Sequence, residues 1–176
     1  MKIAVIGGAG YIGSHTVREL LDRGHEVCIF DNLSSGLEQN LFPEAGFVKG
    51  DILHPEEIGA FLNDFKPEGL VHLAAFKAAG ESMINPEKYS VNNITGSINI
   101  LNAATAAGVK YFVFSRSAAT YGAPKYQPVE QGTKKLPPTR ILQRSTRGQQ
   151  EMGDCSPEVL ATLPGSSVCG ILQAEY

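Results

Sequence analysis

Apolar and polar positions alternate along this chain in two rhythms. A continuous apolar run, Ile3, Ala4, Val5 and Ile6, leads into three glycines spaced three apart, Gly7, Gly10 and Gly13. A helical pattern then follows (Ile12, Val17, Leu20, Leu21) and stops at Gly24. Further runs predict strands over 26–30, 47–49, 70–74 and 111–115. Between them, Pro55–Phe65 is expected as a helix with Ile58, Phe61 and Leu62 on its buried face. Tyr89–Ala107 is expected as one long helix with a stripe of Val91, Ile94, Ile98 and Leu101. Strands that are apolar throughout are covered on both faces. The expected fold is therefore α/β, a Rossmann-like doubly wound parallel sheet, shortened relative to the full type.

The pattern fades beyond the fifth strand. Pro137-Pro138 breaks any element, and the residues after it mix Pro, Gly, Ser and charge without a period. Residues 1–135 are expected to form the dinucleotide-binding domain, and 136–176 an irregular or disordered tail.

Composition narrows the function classes. The chain has 176 residues, a net charge of −3 and no dense Lys/Arg cluster, so nucleic acid is not an expected partner. No apolar stretch reaches the length of a membrane span, and Met1-Lys2 leads directly into a strand rather than a signal peptide. Cys28, Cys155 and Cys169 have neither metal-like nor disulfide-like spacing, so no metal is expected and Cys28 reads as a buried free thiol. A reducing cytoplasm is the expected compartment.

The candidate chemistry sits at strand ends. A strand, a glycine turn and a helix N-terminus present unpaired amides to a diphosphate, and a Cβ in the turn would hold that group away. Asp31 lies eighteen residues past Gly13. A carboxylate there accepts ribose hydroxyls and repels a 2′-phosphate, which favours NAD over NADP; the alternative is a turn Asp opening a loop. Asp51-Ile52 reads as an adenine edge or a helix cap. Small Leu73-Ala74-Ala75 lets backbone lie close to a dinucleotide, with Lys77 beside it as a phosphate partner or a solvated surface group. Ser115-Arg116-Ser117 reads as substrate donors or as a plain turn.

Six ordered motifs carry a family resemblance: Gly7-Gly8-Ala9-Gly10-Tyr11-Ile12-Gly13-Ser14-His15, Asp31-Asn32-Leu33, Gly50-Asp51-Ile52, Lys77-Ala78-Ala79-Gly80-Glu81-Ser82, Asn92-Asn93 and Ser117-Ala118-Ala119-Thr120-Tyr121-Gly122. Over residues 1 to about 135 the chain resembles the UDP-glucose 4-epimerase family of extended short-chain dehydrogenase/reductases. The resemblance implies NAD lined by Gly7, Gly10, Tyr11, Ile12 and Gly13, by Asp31, Asn32, Leu33, Ser34, Ser35 and Gly36, and by Asp51 and Ile52. It places Leu73, Ala74, Ala75, Phe76, Lys77 and Asn92 along the same cofactor. It implies that Ser117 hydrogen-bonds the 4-oxygen of a UDP-sugar, in an enzyme that interconverts UDP-glucose and UDP-galactose through a 4-keto intermediate. It also implies a homodimer for the full-length family.

The resemblance also exposes departures. The family completes its site with a base tyrosine and a partner lysine, in a segment like Asn-Pro-Tyr-Gly-x-x-Lys. Here the corresponding stretch reads Thr139-Arg140-Ile141-Leu142-Gln143-Arg144-Ser145, and no tyrosine lies between Tyr126 and Tyr176. Tyr121 and Lys125 have the right spacing, but Gly122 and Pro124 oppose the helix that would stack them. Arg116 stands where the family carries a small residue. The alternatives to an epimerase are a non-catalytic NAD-binding fragment and another nucleotide-sugar enzyme of the family, a dehydratase or decarboxylase. A slip of the reading frame near Pro137-Pro138 would account for the altered end. Cys169-Gly170-Ile171-Leu172 recoded one base earlier can read Leu-Arg-Tyr-Phe, which resembles the family's strand after the catalytic helix.

Overall fold

The computed structural model describes residues 1–117 and 167–173. The expected boundary near 135, the Tyr121/Lys125 pair and residues 139–145 lie outside the described residues.

The sheet has six parallel strands in the order β3-β2-β1-β4-β5-β6. These are β1 (Lys2–Ile6), β2 (Glu26–Asp31), β3 (Gly46–Lys49), β4 (Gly69–His72), β5 (Tyr111–Ser117) and β6 (Ser167–Gln173). Helices α1 (Tyr11–Asp22), α2 (Pro55–Phe65), α3 (Ala79–Ile84), α4 (Pro86–Ser90) and α5 (Gly96–Ala106) complete the described elements, with a 3-10 turn at Glu38–Asn40 and a π turn at Val91–Thr95. The doubly wound parallel arrangement agrees with the sequence expectation. Within the stretch expected to be irregular, Ser167–Gln173 runs beside β5 in register, Phe112 opposite Val168 and Phe114 opposite Gly170. The open edge of β5 presents unpaired backbone groups, and the Val168, Cys169, Ile171, Leu172 run suits a strand that fills it.

Alternation within β1 divides the core between the two faces of the sheet. Ala4 and Ile6 pack with Phe30, Ile58, Leu62, Ile100 and Phe112 under α2 and α5. Ile3 and Val5 pack with Val17, Val27, Ile29 and Val71 under α1. Cys28 is a buried free thiol, as expected, and burial raises its pKa.

Three expectations are corrected. The fourth strand ends at His72 rather than residue 74, because Leu73 onward turns out of the sheet to wall a cleft. The single helix over Tyr89–Ala107 is α4, the π turn and α5 in succession. Its expected apolar stripe holds only in part: Leu101 is buried, but Val91 and Ile98 are 42% and 44% exposed, and Ser97, Ile100 and Ala104 share the buried face with Leu101. The buried positions of α5 keep ordinary i, i+3, i+4 spacing, but Gly96, Ser97 and Ala104 are small or polar, so a stripe drawn through the large apolar residues misses that face.

Candidate functional site

The strand order runs outward from β1 in both directions, through β2 and β3 on one side and through β4 and β5 on the other. The crossovers diverge there, and a crevice opens at the carboxyl ends of the strands. A cleft of about 260 Å³ occupies that place. Its floor is the glycine turn after β1, with Gly7, Gly10 and Gly13. One wall comes from the ends of β2 and β3, with Asp31, Asn32, Ser34, Ser35 and Ile52. The other comes from the segment after β4, Leu73 to Lys77, and from Asn92 in the π turn.

The three glycines have different reasons to be glycine. Gly7 has φ +84°, and a Cβ there would lie 2.7 Å from the Ala74 nitrogen. A Cβ at Gly13 would lie 2.1 Å from the Gly7 carbonyl oxygen, so α1 and the turn pack backbone to backbone. Gly10 differs: its Cβ would meet the protein only at 3.4 Å. Space is kept at Gly10 on the cleft side, not by the protein's own packing.

Helix α1 begins at Tyr11 after Gly10, with no side-chain cap and no acidic residue in its first turn. The first intrahelical acceptor is the Gly10 carbonyl, which takes the Ser14 N–H at 2.9 Å. The amides of Tyr11, Ile12 and Gly13 therefore have no acceptor within the helix, and the helix dipole adds partial positive charge. This end of α1 opens on the cleft, and the cradle fits an anionic diphosphate.

Asp31 faces it from the end of β2, buried at 9% exposure. Its Oδ2 accepts the Ala9 N–H at 3.0 Å and its Oδ1 accepts the Leu33 N–H at 2.8 Å. Each oxygen keeps further acceptor capacity toward the cleft. Leu33 sits at φ +59°, a left-handed conformation that the Asp31 contact holds in place. The next residue, Asn32, donates from Nδ2 to Asp51 Oδ2 at 3.0 Å and so ties the β2 loop to the β3 loop.

Of the residues singled out from sequence, Leu33, Gly36 and Asp51 lie outside the cleft lining. Asp51 turns its other oxygen to the Leu53 N–H at 2.9 Å, an Asx turn leading toward α2. Gly36 packs against Ala9, where a Cβ would come within 2.8 Å of the Ala9 Cβ. Ser117 closes β5, and its side chain, like that of Arg116, lies outside the described residues. Sequence reasoning missed Phe30 and Gly50, which also line the cleft, whereas Phe76 falls within the Leu73–Lys77 stretch the resemblance implied. Phe30 and Gly50 carried a weak signal, each next to a carboxylate at a strand end.

Beneath the β4 wall lies a buried polar column. His72, at the end of β4, shares a 2.9 Å hydrogen bond between its Nε2 and Ser97 Oγ. The Ser97 hydroxyl already donates to the Asn93 carbonyl at 2.6 Å, so His72 is the donor and carries its proton on Nε2. Its Nδ1 has no partner among the described residues, and burial pushes its pKa down to about 4. The imidazole is therefore neutral in the fold.

Residues 3–144 match the model of the NAD dependent epimerase/dehydratase family. The chain is 47% identical over 133 residues to a UDP-glucose 4-epimerase of Lactobacillus helveticus, covering 76% of this chain and 40% of that enzyme. It is 45% identical over 139 residues to one of Klebsiella pneumoniae, covering 74% of this chain and 99% of that sequence. Among solved structures, UDP-glucose 4-epimerase from Brucella ovis in complex with NAD matches at TM-score 0.83 and 30% identity, over 97% of this chain and 51% of that one. The Thermotoga maritima enzyme with UDP-glucose matches at TM-score 0.82 and 33% identity, over 97% and 54%. The chain thus spans about 40% of the length of the Lactobacillus helveticus relative and about half of these structures.

Proposed function

The chain belongs to the NAD dependent epimerase/dehydratase family, and from that we propose that it is the NAD-binding part of a nucleotide-sugar 4-epimerase, one that binds cofactor without completing the reaction. The observation that carries this reading is the uncapped start of α1 facing the same cleft as the Asp31 carboxylate. The amides of Tyr11, Ile12 and Gly13 take the diphosphate, and Asp31 takes the adenosine ribose. The space at Gly10 lets the diphosphate approach the backbone. A 2′-phosphate would meet the Asp31 carboxylate, so NAD is preferred to NADP. When bound, the nicotinamide supplies a hydride acceptor and donor for the carbon at position 4 of a UDP-sugar.

Ser117 is the residue of this chain that would hydrogen-bond the sugar's 4-oxygen. Removing the 4-hydroxyl proton needs a base that the sequence does not provide where the family carries its tyrosine. A positioned general base is worth roughly 10²–10⁴-fold in rate, and the lysine that tunes it is absent as well. Cofactor binding without turnover is the consequence.

Calorimetry with NAD, alongside an assay for UDP-glucose and UDP-galactose interconversion, tests both halves. Heat with NAD and no interconversion is expected. Binding of neither NAD nor NADH overturns the cofactor assignment, and measurable interconversion overturns the loss of turnover. A 4-keto product detected by a carbonyl reagent would favour a dehydratase instead. The reading-frame account is tested on the gene. DNA across codons 130–176 should encode Asn-Pro-Tyr-Gly-x-x-Lys in another frame, and failure to find it removes that account.

A further inference from the structure

Between β4 and α3 the backbone leaves the sheet, and no helix or strand covers Leu73–Ala78. This irregular segment nevertheless forms a whole wall of the cleft. Asn93 grips it at the middle. Its Nδ2 donates to the Phe76 carbonyl at 2.9 Å, and its Oδ1 accepts the Phe76 N–H at 2.9 Å. The side-chain amide thus pairs with Phe76 much as a neighbouring strand would. The same Oδ1 accepts Asn92 Nδ2 at 3.0 Å, which fixes the rotamer of the asparagine that lines the cleft. Both lone pairs of that oxygen are in use.

The Asn93 backbone is held in turn. Its carbonyl takes the Ser97 hydroxyl, which is backed by His72 on β4. The Phe76 ring packs on Tyr89, with ring centroids 5.7 Å apart, and under the Lys88 ammonium at 4.8 Å. The π turn presents two consecutive asparagines to two targets, one to the cleft and one to the wall. Such turns concentrate at functional sites.

We infer that Asn93 is a positioning residue for the β4 side of the cleft, holding the Phe76-Lys77 backbone and Asn92 where the nicotinamide half of the dinucleotide lies. The inference rests on the assignment of NAD to this cleft. The adenosine half lies over β2 and β3, beside Asp31, so the remaining half extends across β1 toward β4. Asn93 acts on that half alone, through Phe76 and Asn92.

The test compares NAD with ADP, which lacks the nicotinamide riboside, by calorimetry on the full chain and its Asn93→Leu variant. Losing the paired amide contact should weaken NAD about tenfold or more while ADP affinity stays within about twofold. Should Asn93→Leu fail to fold, Asn93→Asp serves, since it keeps the acceptor contacts but sets an oxygen against the Phe76 carbonyl. Equal NAD affinity in variant and wild type overturns the inference alone. Equal losses for NAD and ADP also overturn it, because the effect is then general to the fold. A wild-type chain that binds ADP but shows no added affinity for NAD overturns it too. A wild-type chain that binds neither overturns the cofactor assignment and this inference with it.

Discussion

The Ala9 amide donates to Asp31 Oδ2 across 3.0 Å, which joins the glycine turn after β1 to the carboxylate that ends β2. Floor and wall of the cleft are therefore one hydrogen-bonded unit before any ligand arrives. The same carboxylate holds Leu33 in its left-handed conformation. Asp31→Ala should leave two amides without their acceptor and release that conformation. A loss of about 2 kcal/mol or more in denaturant unfolding is the expected cost. Asp31→Asn keeps one acceptor and removes the charge. It should fold nearly as well, weaken NAD, and narrow the preference for NAD over NADP in parallel titrations.

Gly10 and Gly13 should separate binding from folding. Gly13→Ala forces a Cβ to 2.1 Å from the Gly7 carbonyl oxygen, which only backbone movement can relieve. It should cost about 3 kcal/mol or prevent folding, as read by circular dichroism on heating. Gly10→Ala meets the protein only at 3.4 Å. It should stay folded, lose about 1 kcal/mol of capping and backbone stability, and still weaken NAD by about tenfold in calorimetry.

His72 sets a pH dependence of known sign. Its folded pKa is lowered to about 4 from an ordinary 6.5 because burial opposes the charged ring. Above about 6.5 the ring is neutral in both states and contributes no slope. As pH falls from 6.5 toward 4, the unfolded state takes up the proton and the folded state does not. Stability should then decline by up to about 3 kcal/mol across that window. His72→Gln keeps a donor for Ser97 and cannot titrate. The difference between the two unfolding curves against pH isolates the ring, and parallel curves would remove this assignment.

Gly96 and Ile52 form a contact between α5 and the cleft wall. A Cβ at Gly96 would lie 2.5 Å from Ile52 Cδ1. Gly96→Ala should push Ile52 toward the cleft and cost about 1–3 kcal/mol. Adding Ile52→Val removes the clashing methyl and should recover part of that loss. A double-mutant cycle on thermal unfolding measures the recovery.

The sequence was legible wherever one segment set its own structure. The run from Ile3 to Gly13 encodes strand, turn and helix by local rules, and Asp31 stands where the next strand must end. The cleft floor and its acidic wall could be read from those features. Less was legible on the β4 side, where the structure depends on residues far apart in the chain. Phe76 is held by Asn93, seventeen positions later, and Gly96 is small because Ile52 packs on it. A periodicity argument counts large apolar residues, so it placed Val91 and Ile98 inside, while the face that packs is built partly of Gly96, Ser97 and Ala104. The third helix, Ala79–Ile84, is six residues long, too short to show a repeat. Ser117 was readable as a strand end, which it is, but its chemistry was readable only through the family.

The extra residue in the Val91–Thr95 turn makes that stretch intolerant of length changes. Deleting one position there would return the turn to ordinary α geometry and leave α5 in its seat, because the extra residue is absorbed within the turn itself. The two asparagines would then lose their separate targets, Asn92 the cleft and Asn93 the Phe76 backbone. Surface insertions elsewhere are easily absorbed, but here the count of residues sets where each amide points. Homologous chains that share the cleft should therefore vary in the letters of this turn and never in its number of residues.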